Sequence, residues 1–178
     1  VERWQNIIII NTVYRQMMHP THIIIAITAY LLLIAIGIPL TLDLAFFALI
    51  LGSIFPDIDH PNSFISKFNI AHPLSRVVTS IDKHRGFMHS LLAAIICTAT
   101  VAIAVVLIGF ESVVIFGFFL GYIIHLAADS LNPTGIKWLQ PFSNKIHLKW
   151  RIRTGTKNEE VVFVMFCILA GAILLFGI

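Results

Sequence analysis

The chain has 178 residues, 58% of them hydrophobic and 12% charged, with a formal net charge of +3. So little charge excludes an ordinary soluble domain, whose charged fraction is about 25%, and the length suits a single domain. A mean hydropathy of +0.91 points instead to an integral membrane protein. The small net charge, with no basic stripe interleaved with aromatics, argues against a nucleic-acid partner.

Residues 1–16 hold a four-isoleucine run but no clear helix or signal-peptide pattern. Met17 or Met18 suits a start, so 1–16 reads as an upstream extension without function, ahead of one membrane-embedded domain over 17–178. Apolar runs then cover His22–Ile38, Leu42–Phe55, Phe87–Ile108, Ser112–Leu131 and Val161–Ile178. A bilayer crossing takes about 20 apolar residues. The expected architecture is therefore an all-α bundle of about five transmembrane helices, the second being the shortest. Cys97 and Cys167 fall inside these runs and read as packing residues, with neither a disulfide framework nor a cysteine zinc site around them. Between the runs, Pro56–Asn62 reads as a turn and Ala71–Lys83 as a short interfacial helix. Asn132–Gly135 is a turn that stops the fourth span.

Threading the chain through five spans places all twelve Lys and Arg residues on one side. They lie in the N-terminal segment, Pro56–Gly86 and Asn132–Glu160. The opposite connections are very short and contribute only Asp43 and Glu111 as charges. By the positive-inside rule the long loops face the cytoplasm, with the N-terminus in and the C-terminus out.

Four patches of His and Asp sit at helix ends on that same side. Thr21-His22 opens the first span, and Pro56-Asp57-Ile58-Asp59-His60 follows the second. His84-Arg85-Gly86-Phe87-Met88-His89 leads into the third, and His125 and Asp129 close the fourth. His125 and Asp129 are four apart, so they project from one helix face. Asp57 and Asp59 flank one residue of a Pro-led turn, and Gly86 lets His84 and His89 meet across a bend.

Mixed imidazole and carboxylate donors suit zinc first, then manganese or iron, better than magnesium or calcium. A charge at membrane depth needs a partner, and a dication supplies one. Taken singly, a helix-end His is more often interfacial than a ligand, and His19, His72 and His147 are read that way. His60 adjoins the Asp pair and is intermediate. The joint pattern carries the weight. One or two ions are expected among Asp57, Asp59, His89, His125 and Asp129, with His22 and His84 completing the shell. Arg85 is suited to an anionic oxygen and a spare carboxylate or imidazole to general base. The headgroup-level depth of the site, with Arg85, favours a lipid-like or phosphoester substrate at the cytoplasmic membrane interface. The alternatives are a transporter binding a translocated cation and a structural or regulatory protein with a structural metal.

The strings P-D-I-D-H-P-x-S at Pro56–Ser63, H-R-G-F-M-H-S at His84–Ser90 and G-Y-I-I-H-L-A-A-D-S-L at Gly121–Leu131 resemble the signature of the YdjM family. The resemblance covers about Thr21 to Phe166. It implies a helical inner-membrane protein classed as a metal-dependent hydrolase, one member of the family being LexA-regulated. It further implies polar site positions at His22, Asp57, Asp59, His84, His89, His125 and Asp129. Glu159 is similar to an acidic position before the family's last span, and stands with Asp59, His84 and Arg85 as a candidate catalytic group. The departures, Met88 for Thr and Asn132 for Thr or Ser, touch flanking positions only.

Overall fold

Each of the five apolar runs becomes one α-helix in the computed structural model, and no β-strand occurs among the described residues. Those residues are 19–59, 87–133, 135–140, 142, 152–153 and 155–177. The helices are α1 (His19–Ala35), α2 (Leu44–Ile54), α3 (Leu91–Ile108), α4 (Val113–Ser130) and α5 (Lys157–Phe176). Residues 1–16, the expected helix Ala71–Lys83, and His60, His72, His84, Arg85 and His147 lie outside the described residues, as does the side chain of Asp59.

The ends follow local chemistry. Asp43 caps α2 by accepting the Ala45 N–H at 2.9 Å. Ser90 caps α3 by accepting the Ala93 N–H at 3.2 Å, as short polar side chains do at N-caps. Gly109, at φ +82°, closes α3 in the left-handed region. Pro56 lacks an N–H, so α2 cannot continue regularly, and Phe55–Asp59 tightens into a 3-10 turn. The turn after α4 forms as expected, with the Gly135 N–H donating to the Asn132 carbonyl at 2.9 Å.

By length and composition α3, α4 and α5 can each cross a membrane, while α1 and α2 are shorter apolar helices. At about 1.5 Å per residue, the eleven residues of α2 reach little more than half of a hydrocarbon core about 30 Å thick. Its shortness fits its position, because small residues on α2 bury it against α4.

A Cβ added at Gly52 would lie 2.1 Å from the Phe118 carbonyl oxygen, at Gly117 2.2 Å from that of Ala45, and at Gly121 2.0 Å from that of Leu49. Only glycine allows α2 and α4 to approach this closely. Gly117 and Gly121 form a small-xxx-small seam of the kind that membrane helices use for close contact.

Helix α1 packs on α2, α4 and α5, and α3 packs on α4. Outward residues of α3 are apolar and open, with Val106 72% and Leu107 81% exposed. On α5, Ile168 is 67% and Leu175 81% exposed. Apolar faces this open belong in lipid rather than water. The helices alternate in direction, so the starts of α1, α3 and α5 meet the ends of α2 and α4 at one end of the bundle.

Candidate metal centre

At that end lie His22 on α1, Asp57 on the turn after α2, His89 just before α3, and His125 and Asp129 on α4. All five are at most 1% exposed. Burying so many polar groups in an apolar bundle is costly unless they satisfy one another or an ion. His125 is held at its back: Nδ1 lies 2.7 Å from the Ser53 carbonyl. A carbonyl only accepts, so Nδ1 carries the proton and Nε2 keeps its lone pair.

That lone pair faces the other polar groups of the cluster. His125 Nε2 lies 3.4 Å from His89 Nε2, 3.8 Å from Asp57 Oδ1 and 4.0 Å from Asp129 Oδ2. His89 Nε2 is also 3.6 Å from Asp57 Oδ1 and 3.4 Å from Asp129 Oδ2. His22 Nε2 lies 3.6 Å from Asp129 Oδ1, and its ring stacks on that of His125 with centroids 4.0 Å apart. His22 Nδ1, though buried, has no hydrogen-bond partner among the described residues.

Two donor trios satisfy metal-site spacing, His22–His125–Asp129 and Asp57–His89–His125, each with its ligand atoms within 4.8 Å of one another. Donors about 2.0–2.2 Å from a tetrahedral zinc stand roughly 3.3–3.6 Å apart. The shortest separations here, 3.4 Å, fall in that range. The donor set therefore fits a divalent cation. The backbone carbonyl behind His125 matches the usual support of a metal-bound imidazole, whose remote N–H is anchored by an acceptor.

Of the residues singled out by sequence, the structure brings together His22, Asp57, His89, His125 and Asp129. It does not bring Glu159 to them. The buried Glu159 carboxylate accepts the Thr21 hydroxyl at 3.2 Å and the Gly155 N–H at 2.7 Å. It ties the start of α5 to the residue preceding His22.

Reading His19 as merely interfacial needs correction. Its Nδ1 lies 3.0 Å from Asp57 Oδ2, with its side chain 30% exposed against 2% for Asp57. The signal was present in the sequence, since His19 and His22 are three apart and share a helix face. The Ser53 carbonyl carried no such signal, being backbone.

Comparison with known proteins agrees with the motifs. The YdjM inner membrane protein family matches residues 17–178. Inner membrane protein YdjM of Escherichia coli K12 is 38% identical over 107 residues, 58% of this chain and 50% of that protein. The uncharacterized protein YvsG of Bacillus subtilis 168 is 34% identical over 112 residues, 62% of this chain and 66% of that protein. The chain thus spans about half the length of the E. coli relative and about two thirds of the B. subtilis one. No solved structure matches. Matched from Met17 to its last residue, the chain belongs to the YdjM family of inner membrane proteins.

Proposed function

We propose that the protein is a membrane-bound, metal-dependent hydrolase acting on a lipid-like phosphoester at the membrane interface. The observation that carries this reading is the convergence of three imidazoles and two carboxylates, almost wholly buried, from four separate elements. His22, Asp57, His89, His125 and Asp129 would hold the cation, with zinc first and manganese or iron next by donor type. A cation held there would act as a Lewis acid and lower the pKa of bound water towards ~7.

The chain's own groups have separate tasks. Ser53 holds the His125 ring in its tautomer, and His19 braces Asp57. Asp59 and His84 are assigned to proton acceptance, and Arg85 to an anionic phosphoryl oxygen. Asp59 follows Asp57 by two residues, while His84 and Arg85 precede His89 by five and four. Glu159 is assigned a positioning role through Thr21. Residues 17–178 are assigned to one membrane-embedded unit. Positive-inside bias supports a site on the cytoplasmic side of the inner membrane.

A transporter would place its cation near the bilayer midplane on broken helices. A cluster drawn from four helix ends at one end of the bundle is a poor match for that. The test is hydrolysis of a phospholipid panel by the detergent-purified chain, with a chelator and then with zinc or manganese restored. Turnover that stops on chelation and returns with metal is expected. Cation flux in liposomes without any turnover would replace the hydrolase with a transporter.

A further inference from the structure

Beside the metal centre, at the start of α3, lies an open groove of about 350 Å³, lined chiefly by Leu92, Ile95, Trp138, Leu139 and Phe142. Its volume falls at the small end of the ~300–1,000 Å³ typical of ligand sites. Its surface is almost entirely apolar. We propose that this groove seats an acyl chain of a bilayer phospholipid, making the substrate of the adjacent site a membrane lipid rather than a soluble phosphoester. This deepens the hydrolase reading and rests on it for the word substrate.

Two observations select a lipid chain as the occupant. First, the groove is continuous with the lipid-facing side of α3. Ile95 belongs to both, at 52% exposed, and Ile96 and Ile103 continue the same open apolar surface. A chain lying in the bilayer enters such a groove without crossing water.

Second, the wall is tied to the metal centre at both edges. The Trp138 indole N–H donates to Ser130 Oγ at 2.7 Å, next in sequence to Asp129. The Trp138 carbonyl accepts the Leu91 N–H at 2.7 Å, two residues after His89. A Trp with an apolar body and an anchored N–H suits the headgroup level. A chain held along it keeps its headgroup near the end of the bundle where His89 and Asp129 lie. Transfer of hydrocarbon from lipid is nearly neutral by itself, so the preference for the groove over other lipid-facing surface comes from contact with its walls, and it orients the ester.

The experiment uses the full chain in vesicles of phosphatidylethanolamine and phosphatidylglycerol, doped with a phospholipid whose acyl chain carries a photoreactive diazirine. Adducts at Leu92, Ile95, Leu139 and Phe142 should exceed those at Val164 and Ile168 on the α5 lipid face by about tenfold, a bias of roughly 1.4 kcal/mol. Excess unlabelled phospholipid should remove the groove adducts first. Equal labelling of the two faces would overturn the proposal.

Ile95→Trp, filling the groove from an exposed position, gives a second arm. It should lose the adducts and slow phospholipid turnover about tenfold while leaving turnover of a chainless phosphoester unchanged. Phospholipid turnover equal to wild type would refute the seat. If neither substrate is turned over by the wild type, the hydrolase reading fails, and the adduct pattern alone then decides whether the groove holds a chain.

Discussion

His125 combines two kinds of contact. One ring nitrogen is fixed by the Ser53 carbonyl, and the other faces His89, Asp57 and Asp129. His19 stands one step further out, on Asp57. Outer partners of metal ligands typically contribute 10–100-fold to affinity. His19→Ala is therefore expected to weaken cation binding by roughly that factor in a chelator competition, and His89→Ala to weaken it more. Wild-type affinity in His19→Ala would return that residue to a purely interfacial role. Glu159 belongs to a different class. Glu159→Ala leaves the Thr21 hydroxyl and Gly155 N–H without this acceptor, which should cost about 1–3 kcal/mol in detergent unfolding with cation content unchanged. Loss of the cation would instead place Glu159 in the site.

The contact between α2 and α4 sets the position of Ser53 relative to His125, and glycine makes that contact possible. Gly121→Ala would set a methyl 2.0 Å from the Leu49 carbonyl and 2.9 Å from the Ser53 nitrogen. Overpacking of this kind costs about 1–3 kcal/mol or more. The variant should unfold earlier and bind cation more weakly, because the helices must separate where Ser53 meets His125. Gly171, with nothing within 4 Å of an added Cβ, should accept Ala without either effect.

At the opposite end of α2, the Thr41 hydroxyl and then the Ala45 N–H hold the Asp43 carboxyl below the usual carboxylate range. With the folded value depressed, the cap's contribution is present above the unfolded value and is lost as pH falls through the folded one. Thermal unfolding in detergent between about pH 7 and pH 3 should show this loss, and Asp43→Ala should reduce that part of the dependence. Helix identity was legible from the apolar runs, and so was the joint face of His125 and Asp129. The seam was not anticipated: Gly117 and Gly121 are four apart, but their contact with Ala45 and Leu49 on α2 needed three-dimensional positions. The 3-10 turn at Phe55–Asp59 was visible only as a generic Pro-led turn.

Across the whole molecule, alternation of five helices gathers residues more than a hundred positions apart at one end of the bundle. Charge asymmetry in the loops already implied such an end. The run lengths implied five helices with the second the shortest, and α2 ends where Pro56 turns Asp57 inward. The convergence of four patches could be read from their common side, whereas the Ser53 brace on His125, the His19 contact and the diversion of Glu159 to Thr21 needed three-dimensional positions.

The central claim is that this buried cluster holds a divalent cation, and elemental analysis of the detergent-purified chain tests it most directly. Wild type should carry stoichiometric zinc, manganese or iron after exposure to each. His89→Ala and Asp129→Ala should fall to background while remaining folded and monodisperse. A wild type that stays at background with every metal, or variants that retain its full content, would contradict the account.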